Sequence, residues 1–318
     1  VNKTGEALMS KYTPENWPIA CPMLLFGGLD SKGGPIQDAD PQEWFRQMRE
    51  VAMMGFTEMD PLDVWVRVAD LPPDRLKSFK QVMAETGLTV PAISTSRKSV
   101  MDAEHGAEYL AYSHRVIDTA VELGAGVVGI GFFQQLTPAQ QEATWFWLAD
   151  GHKDPDDPQL YRLAVQRIRE LAEHAGSVGI EISLEMYEDT YLGDSESAVR
   201  FLADVDHPAC GLNPDLGNMV RLHRPLEPLT EAFERLLPHT NYWHIKNYTR
   251  DFDPATGAYA THPSPLPGGY VNYRPIIARA LELGFDGPFM VEHYGTDSLW
   301  NLAQSRDYLR SVLRCKMA

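Results

Sequence analysis

Four side chains able to bind a metal or move a proton, Glu185, Asp215, His244 and Glu292, each stand where an apolar run gives way to polar residues. Glu185 ends "GIEISLEM", Asp215 follows "CGLNP", His244 lies in "YWHIKNYTR" and Glu292 follows "GPFMV". In "YWHIKNYTR" the two-residue period of a strand puts His244 and Lys246 on one face and Trp243 and Ile245 on the other. A buried strand would normally carry Val or Leu at both positions, so the polar face meets water or lines a working cavity. Three carboxylates and a neutral imidazole suit one divalent cation, with Mn²⁺ the first expectation and Mg²⁺, Co²⁺ and Zn²⁺ the others, and the carboxylate excess argues against a thiolate-rich soft-metal site. Such an ion polarises a carbonyl and holds adjacent hydroxyls. Taken singly, the two glutamates read as surface acids, Asp215 as a helix cap and His244 as a hydrogen-bonded core residue. Only their shared placement favours one centre.

Residues this far apart meet only if the intervening chain brings strand ends together. Eight short apolar runs fall near residues 19–26, 55–62, 87–94, 124–133, 178–186, 210–218, 241–248 and 287–295. Between them lie amphipathic segments such as "DPQEWFRQMREVAMMG", "DRLKSFKQVMAETG" and "YRPIIARALELG", many opening near Asp, Ser or Pro and closing on Gly, which are helix start and stop signals. Strand then helix, repeated along the whole length, predicts one (β/α)8 barrel spanning residues 1–318, with the four polar strand ends converging at its C-terminal mouth. Two long connections, residues 134–159 with Trp145, Phe146 and Trp147 and residues 251–270 rich in Pro and Gly, are expected above that mouth, as substrate caps or as plain surface loops.

Composition narrows the partners. A chain of 318 residues with a formal charge of -16 and a pI near 5.0 is poorly suited to tracking phosphate backbones, so no nucleic acid is expected. Cys21, Cys210 and Cys315 form no CxxC pair, which excludes a disulfide framework and fits a reduced, cytoplasmic setting. The first 18 residues lack a signal-peptide apolar run and no later run suits a membrane span, so neither export nor membrane insertion is expected. No GxGxxG follows the first strand, and "LPGGYVNY", with Gly268 and Gly269, lacks the Lys-Ser/Thr of a P-loop.

With Glu185 in "SLEMYEDT", Asp215 in "NPDLGN", His244 in "WHIKNY" and Glu292 in "VEHYG", the chain resembles the xylose-isomerase-like sugar isomerase/epimerase superfamily over residues 19–313. The resemblance implies a Glu, Asp, His, Glu metal quartet, with Glu185 and Glu292 doubling as the catalytic acid/base pair, and a substrate-contacting arginine at Arg250. It also exposes a departure: Asn218 stands where the family often has His, and an amide that does not titrate is a poor proton shuttle, leaving Asn218 a substrate or metal-water contact. Lys246, sharing the face of His244, is expected to address an anionic group or an enolate-like oxygen. His293 should point to the opposite strand face. His223 and His262 are mouth candidates with a surface alternative, and Tyr187 and Glu188 would add substrate or supporting contacts.

The reading that follows is a metal-dependent isomerase or epimerase acting on a sugar-like carbonyl compound through an enediolate. A lyase eliminating from an oxidised sugar, a cyclitol ketone or a 3-oxo C-glycoside, the last sometimes with a small second subunit, uses the same stabilisation and stays open. A non-catalytic sugar-binding protein is a third reading, which leaves the metal constellation without purpose. The resemblance implies a homodimer or homotetramer.

Overall fold

The computed structural model describes residues 10–317. The leader reading rests in part on residues 1–9, which lie outside the described residues. Eight short parallel strands follow the predicted runs: β1 (Ile19–Pro22), β2 (Glu58–Asp60), β3 (Ala92–Ser94), β4 (Val127–Ile130), β5 (Glu181–Glu185), β6 (Cys210–Asn213), β7 (Trp243–Ile245) and, after an inserted antiparallel pair β8 (Asn247–Asp253) and β9 (Ala258–Ser264), β10 (Phe289–Val291). Parallel pairing runs β2-β1-β10-β7 and β3-β4-β5-β6. Parallel bridges Glu58 to Thr89 and Leu212 to Thr240 join the two sets, the first supported by Met59 N to Thr89 O at 2.9 Å and the second by Asn241 N to Leu212 O at 3.2 Å. The sheet therefore closes into a (β/α)8 barrel and leaves no strand edge open.

Among the described residues ten α-helices accompany the strands: α1 (Pro41–Met53), α2 (Pro73–Thr86), α3 (Gly106–Leu123), α4 (Pro138–Glu142), α5 (Pro158–Ser177), α6 (Ser195–Val205), α7 (Gly217–Val220), α8 (Leu229–Leu236), α9 (Tyr273–Glu282) and α10 (Ser298–Lys316). Their ends are built as the sequence signals. Asp40 caps α1 by accepting from Gln42 N ahead of Pro41, Asp194 and Ser197 form a reciprocal capping box on α6, and α2 and α3 close on Gly87 and Gly124 in the left-handed region. In α1 the buried residues Trp44, Gln47, Met48 and Val51 fall at helical spacing, so one stripe faces the barrel.

The strand period divides the core. Inward residues Ala20, Ala92, Val127, Tyr242 and Met290, with Leu62, fill the barrel interior, while outward residues such as Ile19, Trp243, Ile245 and Phe289 join the larger core beneath the helices. Trp243 packs against Phe233, Phe285 and Phe289, and burial of each side chain of this size contributes about 1.5–3 kcal/mol.

Three details correct the expectations. The run at 210–218 is a strand only to Asn213, after which the chain turns into the single helical turn α7. The Pro- and Gly-rich connection at 251–270 is largely the β8–β9 hairpin, paired from Asn247 with Ser264 to Asp253 with Ala258. The last barrel helix, α10, was not read from the sequence as a helical segment. Arg306, Arg310 and Arg314 recur along it and blur its apolar stripe, yet Arg310 donates to the Pro14 and Trp17 carbonyls and Arg306 to that of Met54, tying the helix to its neighbours. All three cysteines are free, and no described helix is long and apolar enough to cross a membrane.

Candidate metal centre

Strand closure delivers Glu185 from the end of β5, His244 from the middle of β7 and Asp215 from the turn after β6. One ligand atom from each lies within 4.8 Å of the others, and this triad is the candidate divalent-metal site. The Asp-to-Asn spacing of three places Asp215 and Asn218 on one side of the turn leading into α7. Asn218 donates from Nδ2 to Glu185 Oε1 at 3.1 Å and to the Met186 carbonyl at 2.9 Å, which turns Glu185 Oε2 toward His244 Nδ1, 3.2 Å away. The amide expected at substrate or metal-bound water orients a carboxylate, and it lines the cavity beside it.

Lys246 shares the His244 face as the strand period predicts, but its ammonium is engaged by the protein. Its Nζ lies 2.6 Å from Asp215 Oδ2 and 2.6 Å from Glu292 Oε2, with the side chain almost wholly buried. Glu292 faces the same cavity, and its other oxygen accepts from the Tyr294 hydroxyl at 2.5 Å. Three predicted ligands therefore form one cluster, while the fourth is joined to it through Lys246. A glycine is needed where α7 begins, because any Cβ at Gly217 would overlap the Lys246 stem and crowd Asp215 Oδ1.

The electrostatics are those of a cation site. Burial raises the Asp215 carboxyl to about 7, with Lys246 opposing and the Glu292 and Glu185 charges adding to the rise. Burial works the same way on Glu292, but Lys246 and His244 outweigh it and hold this group at about 2. Glu185 is lowered because His244 and Lys246 overcome its burial, and His244 is raised because Glu185 overcomes its own. Asp215 Oδ1 is buried and has no hydrogen-bond partner among the described residues. A buried carboxylate oxygen without a partner, beside a second carboxylate and an imidazole, is what a hard divalent cation would satisfy, so the residues fit a metal.

Beside the triad lies a cavity of about 220 Å³ lined by Ser94, Arg97, Phe146, Tyr187, Met290 and Tyr294, among others. The first long connection contributes Leu136 and Phe146 to its wall and so caps the mouth, with Trp147 packed on Tyr248 and Tyr294. The β8–β9 hairpin supplies none of the lining, so the expected second cap is a structure standing beside the mouth. Arg250, expected at the substrate, lies on this hairpin. Its guanidinium donates to the carbonyls of Val220, Leu222 and Arg224 and stacks on Tyr259, bracing the hairpin against the chain after α7.

His293 points away from the cavity as predicted, its Nε2 3.1 Å from Asn301 Nδ2, and His223 meets Thr261 at 3.2 Å. Tyr187 lines the cavity, while Glu188 receives the buried Arg221 at 2.8 Å. Ser94, Arg97 and Tyr294 were not read from the sequence. Tyr294 had a signal, sitting two residues beyond Glu292. Ser94 ends β3 and Arg97 lies in the polar loop after it, where nothing local marks direction.

The profile of the family described as Xylose isomerase-like TIM barrel matches residues 48–313. A xylose isomerase-like TIM barrel protein from Mycobacterium smegmatis, solved in complex with magnesium, is 52% identical, with 96% of this chain and 100% of that chain covered and a TM-score of 0.94. An L-ribulose 3-epimerase shares the fold at 15% identity and a TM-score of 0.66, covering 95% of this chain and 96% of its own. A 3-dehydroshikimate dehydratase from Bacillus anthracis is 30% identical over 122 residues, a match spanning 36% of this chain and 42% of that enzyme.

Proposed function

The chain belongs to the xylose isomerase-like TIM barrel family, and within it we propose a divalent-metal-dependent isomerase or epimerase acting on a sugar-like carbonyl compound. The observation that carries this reading is the Glu185, Asp215, His244 triad at the C-terminal mouth, with Glu292 facing the same cavity from β10. Oxygen-rich donors with one imidazole suit Mg²⁺ or Mn²⁺, and Mg²⁺ takes first place because the Mycobacterium smegmatis relative was solved with it. Bound there, a divalent ion supplies Lewis-acid polarisation of a carbonyl and its neighbouring hydroxyl.

The chain supplies the rest. Glu185 and Glu292 reach the cavity from β5 and β10, three positions apart round the barrel, so one carboxylate removes a proton beside the carbonyl and the other side of the site returns it. Lys246 and Tyr294 fix the Glu292 carboxylate in place. Phe146 and the aromatic cap keep water from the reacting carbon.

β-Elimination is the second reading, favoured by the partial match to a dehydratase and by the presence of a phenol, Tyr294, in the cavity lining beside Glu292. One experiment tests both. Mg²⁺-loaded protein is incubated with ketoses and oxidised cyclitols in D₂O, with products read by NMR and mass spectrometry. Solvent deuterium in a rearranged product otherwise unchanged in composition supports isomerisation, and loss of water supports elimination. Protein that binds no Mg²⁺ or Mn²⁺ would sink the metal-enzyme reading.

A further inference from the structure

The cavity is bipolar. Its metal end carries Glu185 and Glu292 with Lys246, and Asp215 beside them, whereas Arg97 lines the other, with Arg221 buried behind the aromatic wall there. Arg97 lies three residues beyond β3 with a backbone φ of 52, in the left-handed region that non-glycine residues seldom occupy and that is tolerated where the surroundings enforce it. That turn carries its side chain into the cavity wall, with Cζ 4.9 Å from the Phe146 ring centroid and 6.0 Å from that of Tyr187. Only Nη1, donating to the Gln134 carbonyl at 3.0 Å, makes a short contact, since Nη2 to Tyr187 Oη is 3.4 Å.

Arg221 stacks on the same two rings, with Cζ 4.8 Å from Phe146 and 5.1 Å from Tyr187. It is fully buried, and Glu188 takes only its Nη2, at 2.9 and 2.8 Å. Among the described residues Arg221 Nε and Nη1 have no hydrogen-bond partner, and neither do the Trp147 indole nitrogen nor the Tyr248 hydroxyl in the same aromatic cluster. Every one of these unpartnered groups can donate, and buried donors left unmade are costly. Two guanidiniums against Glu188 leave one positive charge at this end. A neutral sugar would leave that charge uncompensated. A monoanionic, acceptor-only group at Arg97 answers that charge, and guanidinium geometry suits a carboxylate.

We propose that the substrate of the metal centre is a hydroxylated acid whose carboxylate docks at Arg97, with Arg221 as the buried cation behind it. This rests on the metal-enzyme reading above and adds the substrate class. Arg97 is then a binding residue that selects acids over neutral sugars, and Arg221 positions the aromatic wall on which Arg97 lies.

The test is calorimetry on the full chain, with and without Mg²⁺. D-Glucuronate is titrated against D-glucuronamide, quinate against methyl quinate, and a hexose phosphate alongside. At least one acid is expected to bind about tenfold or more tightly than its neutral partner, and Arg97→Gln to bring that pair within about twofold, while Arg97→Lys keeps part of the preference. Unchanged Mg²⁺ affinity in both variants shows that they fold and keep the triad. Equal or tighter binding of both neutral partners, no binding of either acid, or tighter binding of the phosphate overturns the proposal. Failure of the parent protein to bind Mg²⁺ overturns the metal reading instead, and the acid preference is still read from the metal-free titrations.

Discussion

The Ser94 hydroxyl stands 3.2 Å from His244 Nε2 and 2.6 Å from Asp60 Oδ2. Asp60 is fully buried and also accepts from the Tyr242 hydroxyl at 2.8 Å and from the Ser94 and Leu62 amides at 3.0 Å each. Burial raises its carboxyl pKa, and these donors oppose the rise. With four donors on two oxygens, Asp60 takes the Ser94 proton, so Ser94 is left to accept from His244 Nε2–H. In the neutral imidazole that a metal requires, the lone pair of His244 then lies on Nδ1, the nitrogen beside Glu185 Oε2. Ser94→Ala should weaken Mg²⁺ binding by about 10–100-fold while the protein still folds, as read by calorimetry and circular dichroism. Unaltered affinity would mean that the imidazole needs no such support.

Gly217 and Lys246 make a second dependence. Adding one methyl group at Gly217 forces the Lys246 stem aside and with it the ammonium that holds Asp215 and Glu292. Gly217→Ala should cost about 1–3 kcal/mol in urea denaturation and also lower Mg²⁺ affinity. A stability loss with unchanged affinity would separate the lysine from the metal end.

How much of this was visible beforehand depends on the range of the information. The two-residue period of "YWHIKNYTR" correctly assigned Trp243 and Ile245 to packing and His244 with Lys246 to the cavity side, because one strand's alternation is a local property. It failed for Arg250 because β7 ends at Ile245 and a new strand begins at Asn247. The arginine's acceptors, three carbonyls 26 to 30 residues away, leave no local pattern. Lys246 was placed on the right face, but its partners come from β6 and β10 and appear only when the barrel closes. Arg97 was hidden for a related reason: its direction is set by a left-handed backbone conformation in a loop.

Arg250 offers a direct check on that correction. Its side chain braces the hairpin and does not line the cavity, so Arg250→Ala should lower the melting temperature and speed proteolytic cleavage between residues 247 and 264. Mg²⁺ affinity should stay within about twofold. A large loss of metal or substrate affinity with an intact hairpin would restore the substrate-contact reading.

Asp154 gives a pH dependence whose sign is fixed by its environment. It ties the capping connection to the chain after β5, accepting from Tyr191 N at 2.8 Å, while its own N–H donates to the Asp189 carbonyl at 2.9 Å. Burial raises its carboxyl to about 6 against the opposing pull of the Tyr191 amide. The folded state therefore binds this proton more tightly than the unfolded chain does. Ionisation costs nothing below the unfolded value near about 4, and the cost grows through the window between the two values until it is complete above about 6. An asparagine carbonyl can still accept from Tyr191 but carries no charge to bury. Asp154→Asn should then match the parent near about pH 4 and exceed its stability by on the order of 2 kcal/mol near about pH 8, in urea titrations with chelator present. If the variant is instead the less stable protein at the higher pH, the carboxylate is favourably solvated there and the cap is anchored by charge.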